Sequence, residues 1–250
     1  MKTLTSLFRP AVLLAVLPAT LVFSACSNDD DNNATPVPDQ GRVTAVHAAP
    51  NANVKVSVLV DDKSVKDLNY GDNSGYLAVD AGSRVFKINV AGTSTTVATA
   101  TQTVAKDKNY SLFAYSPTTQ ANSISAIWVE DDLTAPAANQ AKVRVVHLGL
   151  NAPSPVKLSQ ETVAGSTDVP GVSAAFGAAS SFASIPTGTY NLLVTTGATS
   201  AKVVAVGDGN GSGTGTKNYE AGKIYTVLVR GSLGSLNTDL QPKAVLIQNN

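Results

Sequence analysis

His47 and His147 are the only two histidines in the 250-residue chain, and each closes a run of alternating apolar residues. Alternation puts His47 on the face of Val43 and Ala45, and His147 on the face of Val143 and Val145. That placement suits a histidine at a core edge whose ring nitrogens bond the following turn. It suits zinc poorly, because no Cys, Glu or second His stands beside either ring. Glu130-Asp131-Asp132 is the densest acidic cluster outside the N-terminus. Ca²⁺ takes six to eight hard oxygens, so carboxylates gathered where two β-units join are a candidate calcium site. The competing reading is a solvated strand end that discourages edge pairing. Asp208-Gly209-Asn210-Gly211-Ser212-Gly213-Thr214-Gly215-Thr216 carries oxygen-bearing side chains at alternate positions. Tyr219 stands where a calcium loop needs its bidentate Glu, so a hairpin tip is the better description. Trp128, Tyr110 and Tyr225 could stack a sugar, but Trp128 lies between Ile127 and Val129 in an apolar strand, which points to a core.

Catalytic signatures are missing. There is no His-Glu-x-x-His, no Gly-x-Ser-x-Gly elbow, and no Gly-x-Gly-x-x-Gly or Gly-Lys-Ser/Thr phosphate cradle. The chain therefore reads as non-enzymatic, with no cofactor and no metal requirement. A hydrolase site assembled from scattered residues is the weaker alternative.

Composition narrows the class further. Lys plus Arg equals Asp plus Glu at 18 each, and charged residues make up 14% of the chain. Such a balance offers no basic footprint for nucleic acid. Val, Thr, Ala, Ser and Gly dominate the body of the chain, a β-protein composition. One cysteine excludes a disulfide framework.

That cysteine is Cys26. Lys2 and Arg9 bracket a basic start, and residues 11–23 are nearly all apolar but too short to span a bilayer as a helix. Residues 1–25 are read as a signal peptide, cleaved between Ala25 and Cys26. Leu21-Val22-Phe23-Ser24-Ala25-Cys26 resembles a bacterial lipobox, which implies lipidation of Cys26 and membrane retention by acyl chains. Asp29, Asp30 and Asp31 follow at once; they resemble a surface-export signal of lipoproteins in one Gram-negative phylum, or simply begin a solvated tether. Residues 26–41 lack any apolar period and are expected to be a flexible acidic tether. The expected location is the bacterial outer membrane, lipid-anchored and facing outward, with a periplasmic orientation as the alternative.

From Arg42 on, apolar and polar residues alternate, as in Phe86, Ile88 and Val90 separated by Lys87 and Asn89. Period two means strands with one buried face. The second half repeats the first in order. Arg42-Val43-Thr44-Ala45-Val46-His47 aligns with Lys142-Val143-Arg144-Val145-Val146-His147, and Tyr76…Ala81-Gly82 with Phe182…Thr187-Gly188. Lys108-Asn109-Tyr110 aligns with Lys223-Ile224-Tyr225, and Ala126-Ile127-Trp128-Val129 with Ala244-Val245-Leu246-Ile247. The growing offset is assigned to loop insertions around 165–179 and 207–215. The expected architecture is all-β: two tandem Ig-like or transthyretin-like sandwiches, residues 42–132 and 142–250, joined by a linker at 133–141.

Val43-Thr44-Ala45-Val46-His47-Ala48-Ala49-Pro50-Asn51-Ala52 resembles the opening of the domain-of-unknown-function 4397 family, where a strand ending in Val-His enters a Pro-containing turn. Leu59-Val60-Asp61-Asp62-Lys63 resembles its hairpin. The resemblance covers nearly all of Arg42–Asn250 as two copies, the second weaker, with Asn51 and Asn151 in place of the acidic turn residue. It implies a secreted or surface-anchored β-domain and brings no activity. The reading is then a structural, adhesive or partner-presenting lipoprotein whose partner is a protein or glycan; the alternative is a glycan- or peptide-binding accessory protein.

Overall fold

A computed structural model describes residues 38–207 and 216–250. The signal-cleavage, lipidation and export residues (Ala25, Cys26, Asp29, Asp30 and Asp31) lie outside the described residues, as does most of the Asp208–Thr216 loop. Among the described residues the chain is strands and turns, with two single 3₁₀ turns at Pro50–Ala52 and Thr238–Leu240.

Eight strands build the first sandwich: β1 (Gln40–Ala48), β2 (Val56–Val60), β3 (Lys63–Leu68), β4 (Asn73–Asp80), β5 (Gly82–Val90), β6 (Thr96–Val104), β7 (Asn109–Tyr115) and β8 (Ser125–Glu130). They form two four-stranded sheets, β4-β1-β7-β8 and β3-β2-β5-β6. Turns fall where the sequence supplies residues that accept positive φ, as at Asp61-Asp62 between β2 and β3. Alternate residues from both sheets, among them Val43, Val56, Val58, Phe86, Ile88 and Leu112, fill the core. Trp128 joins it, stacked on Tyr110 at 4.7 Å and tilted against Phe86 at 5.0 Å. The aromatic trio is therefore not gathered into a platform.

The second sandwich repeats this topology. Its strands are β9 (Gln140–His147), β10 (Val156–Thr162), β11 (Gly165–Ala174), β12 (Ala178–Ala179), β13 (Ala183–Pro186), β14 (Gly188–Tyr190), β15 (Leu192–Thr196), β16 (Ala201–Ala205), β17 (Lys217–Tyr219), β18 (Ile224–Arg230) and β19 (Lys243–Gln248). One sheet runs β12-β9-β18-β19 with β13 also on β9, and the other runs β11-β10-β15-β16. In both sandwiches the first strand pairs in parallel with the strand after the crossover, β1 with β7 and β9 with β18. Residues 165–179 correct the expectation of an inserted loop. Most of them form β11, whose pairing with β10 jumps from Ser173 to Asp168 across a bulge at Val169–Val172. Pro170 and Gly171 (φ 75) make the bulge, and Val169, Val172 and Ala174 still reach the core.

Pro38–Asn250 is one compact unit. The two sandwiches are not beads on a string, because the outer faces of β1-β7 and β9-β18 close on each other. A third apolar cluster forms there from Val46, Ala48 and Phe113 of one sandwich and Val146, Leu148 and Leu228 of the other.

Candidate functional site

The seam between the sandwiches brings equivalent positions together. At its centre lies Arg144, 1% exposed, which forms an ion pair with Asp131 at 2.6 Å. Its Nε donates to Thr226 Oγ1 at 2.9 Å and its Nη2 to Ser111 Oγ at 3.1 Å, while Phe182 covers the guanidinium at 4.4 Å. Asp131 also accepts from Ser111 Oγ and Tyr76 Oη. Its counterpart is Asn249: each follows the last strand of its sandwich and donates its backbone N–H to the start of the parallel pair, Asp131 to Asn109 O and Asn249 to Ile224 O. Each also accepts a hydroxyl from the matching residue, Ser111 or Thr226. Asn249 Nδ2 then donates to Tyr76 Oη across the seam. Burial, reinforced by the Asp131 carboxylate, pushes the Tyr76 phenol well above its usual pKa. Asp131 Oδ1 makes the ion pair alone, while Oδ2 takes both hydroxyls; buried charges need such partners, since a lone one costs several kcal/mol.

Above this network each sandwich inserts a side chain into a notch on the other. Tyr115 packs on Phe176 (5.7 Å between rings) beside Gly177, and Arg230 stacks on Tyr70 (4.5 Å) beside Gly71. The notches match: Gly71 N–H donates to His47 O at 2.7 Å, and Gly177 N–H to His147 O at 2.8 Å. A Cβ at Gly71 would sit 2.8 Å from Arg230 Nη2.

The histidines support these notches and are not brought together. Both are fully buried, with His47 edge-on to Tyr70 at 5.9 Å and His147 edge-on to Phe176 at 5.7 Å. His47 Nε2 is 3.0 Å from Val54 O and its Nδ1 accepts from Ala49 N–H at 3.4 Å, which assigns the neutral Nε2–H form and the turn-fixing role. Neither ring nitrogen of His147 meets a partner within hydrogen-bond geometry, although the Pro153 carbonyl of the following turn lies near the ring. Desolvation lowers both pKa values, opposed by the Val54 carbonyl at His47 and by the Pro153 carbonyl at His147.

Nor does the acidic cluster converge. Glu130 pairs with Lys108, Asp131 with Arg144 and Asp132 with Lys142. Hydrogen bonds from Lys142 and Thr134 hold the Asp132 carboxyl at about 2. No group of three or more metal-ligating side chains occurs among the described residues. The constellation closest to a catalytic one is on the outer face of β10-β15, where Asp168 accepts from Lys157, Ser159 and Ser200. Desolvation opposes ionisation there, but the three donors outweigh it and hold Asp168 at about 2. A carboxylate so acidic is no base for Ser200 at neutral pH.

A cleft of about 310 Å³ lies at one pole, directly above the notches. Pro50, Asn51 and Thr119 of the first sandwich line one side, and Asn151, Ser232, Leu233 and Leu240 of the second line the other. Asn51 and Asn151, the matching turn residues, thus share one site, and no charged side chain lines it. Leu233 is half exposed and Leu236, on the same loop, is fully exposed. The walls are braced. Asn51 donates its N–H to Ser116 Oγ and its Nδ2 to Thr118 O. Ser232 N–H donates to Leu240 O, and Leu233 N–H to Leu150 O. Gly231 (φ 102) permits this closure, since a Cβ there would lie 2.3 Å from Gln241 O. The chain enters at the opposite pole, for β1 runs nine residues from Gln40 to Ala48 before reaching Pro50, roughly 25–30 Å at strand rise.

Sequence reasoning missed Arg144, the two notches and the cleft. A signal for the first was present: an arginine where the matching strand has Thr44, between valines.

Residues 43–158 match the model of a family described as Domain of unknown function (DUF4397). The match covers the first sandwich from β1 onward and ends within β10. No curated protein matches. Nine chains of known structure do. One is "The Bacillus anthracis TIE protein", with 9% identity over 77% of this chain and 34% of that one, and a TM-score of 0.23. This chain therefore spans about a third of that protein's length.

Proposed function

We propose that the chain is a non-enzymatic lipoprotein, anchored through Cys26 in the outer membrane and facing outward, that presents the loop pole of a rigid double sandwich to a protein or glycan partner. The second sandwich is, in this reading, a diverged second copy of the family domain matched by the first. The observation that carries the proposal is polarity: the N-terminal strand enters at one pole and the uncharged, braced cleft opens at the other. A tether at Pro38 would hold the cleft away from the membrane surface. Protease shaving of intact cells tests it, comparing the native chain with an Asp29-Asp30-Asp31→Ala variant. Cleavage of the first and protection of the second is the expected result. Protection of both places the sandwiches in the periplasm and ends the surface reading.

Ligand capture by the cleft itself is a second reading, favoured by its lining of two amides, hydroxyls and leucines with no charge. Such a lining suits a neutral glycan or peptide segment. Saturable binding that survives Asn51→Ala with Asn151→Ala would refute it.

A further inference from the structure

In the four main sheets every edge strand but β6 carries a charge, a proline or a bulge, or is very short. β3 carries Lys63, Lys66 and Asp67; β11 has Pro170 and its bulge; β13 ends in Pro186; and β12 is two residues long. β16, the counterpart of β6, is five residues long, carries Lys202, and runs into a bridge between Val206 and Ala244 at the start of β19, which itself begins with Lys243. β4 and β8 end in Asp80 and Glu130. β6 is the least guarded: Thr96–Val104 is nine residues without a charge, a proline or a glycine, and its one irregularity sits near its start. Beyond one irregularity at Val97, the stretch Ala98–Val104 pairs regularly with β5. Among the described residues no other strand pairs with it, and no backbone hydrogen bond outside that ladder involves it. The second sandwich does not close the gap, because a groove of about 550 Å³ separates Gln102 and Ile127–Val129 from Gly177–Ala179. A long, uncharged free edge is a template for another strand.

We infer that this edge is an interface with a second copy of the chain, two β6 strands pairing antiparallel about Thr101. The segment is its own complement in that register. Thr99 faces Thr103 and Thr101 faces itself on the outer side, while Ala98 faces Val104 and Ala100 faces Gln102 on the inner side. Cross-strand threonine pairs are favourable, and no like charges oppose each other. The cations nearest on β5 are already neutralised, Arg84 by Asp61 and Lys87 by Asp62. β6 itself presents no charge that would select a foreign strand. The contact is isologous, so it closes as a two-fold dimer and joins two four-stranded sheets into one of eight.

A single cysteine tests the register. In an antiparallel pair, directly opposed Cα atoms lie about 4.5–5.5 Å apart, within disulfide reach. In the purified full-length chain under mild oxidation, Thr101→Cys should give a disulfide-linked dimer absent from Ser64→Cys on the opposite edge of the sheet. Adding Thr99→Lys and Thr103→Lys, which oppose each other across the two-fold, should abolish the dimer while the far-ultraviolet circular dichroism stays that of the folded chain. Monomer alone from Thr101→Cys, a dimer indifferent to the lysines, or a disulfide to a different protein would each overturn the proposal. So would sedimentation showing the unsubstituted chain monomeric at high concentration.

Discussion

Replacing Asp131 by Asn tests the seam with almost no change of shape. In the native chain Arg144 Nη1 meets Asp131 Oδ1 at 2.6 Å in surroundings where both side chains are 1% exposed or less. The substitution removes the counter-charge and turns one carboxylate oxygen into a donor. Arg144 keeps Thr226, Ser111 and the face of Phe182, none of which is charged. Breaking a buried pair in this way costs about 3–5 kcal/mol. In a unit of this size that lowers the thermal midpoint by roughly 6–20 °C. Arg144→Met leaves the carboxylate with two hydroxyl donors, Ser111 and Tyr76, so its loss should be smaller. The double variant removes both charges and keeps most of the volume. It should regain about 2 kcal/mol or more relative to the sum of the single changes, because paired removal is often near neutral. Equilibrium urea unfolding of residues 38–250 measures all four species. If Asp131→Asn costs under about 1 kcal/mol, or the double variant shows no coupling, the pair is solvated and the seam is not closed as described.

Four other outcomes follow from the same geometry. His47 and His147 are buried with lowered pKa values against an unfolded value of 6.5. Stability should therefore be full above pH 6.5 and fall below it, by at most about 1.4 kcal/mol per pH unit for each histidine. A double His→Gln variant should flatten that slope in urea melts between pH 7.5 and 5; an unchanged slope would clear the histidines. Asp132 and Asp168, held at about 2, act in a separate window, with their contribution lost only as pH falls from 3.8 toward 2. Gly231→Ala should cost several-fold more than Gly75→Ala: both have positive φ, but only Gly231 faces a backbone oxygen at 2.3 Å while Gly75 meets nothing within 4 Å. Calorimetry that ranks them equally would contradict the braced loop. Finally, calcium and a chelator should leave the melting curve superimposed, since Glu130, Asp131 and Asp132 each have their own cation.

Alternation made the strands legible, since period two survives any packing that buries one face. It could not show which outer faces are covered. Thr44, Val46 and Ala48 alternate as an exposed face would, yet a second sandwich closes over them. Arg144 belongs to the same misjudged face, where a strand reading places a solvated charge. The acidic cluster was visible as three adjacent carboxylates. Their separation was not, because it depends on the middle one pointing into the seam while its neighbours point to Lys108 and Lys142. β11 was obscured by Pro170 and Gly171, whose turn chemistry belongs to a bulge inside the strand. The cleft needs both loops at one pole, and a linear comparison of Asn51 with Asn151 carries no distance.

The chemistry of the seam also decides whether that cleft exists. Val46, Ala48, Phe113, Val146, Leu148 and Leu228 alone would tolerate a slip of two residues, roughly 6–7 Å, because the same apolar face would recur. The ion pair does not tolerate it, and neither do the glycine notches, since Arg230 fits only where Gly71 lacks a side chain and Tyr115 only where Gly177 does. Polar groups buried at such an interface fix register at some cost in stability. Pro50 and Asn51 oppose Asn151 and Leu233 in that register alone; a slip of two residues would be enough to pull the walls apart. Asp131→Asn should therefore disturb the loop pole as well as the seam. Hydrogen exchange at the amides of Ser232 and Leu233, donors to Leu240 and Leu150, would accelerate in that variant, whereas an effect confined to the strands would show that the cleft is held by its own loops.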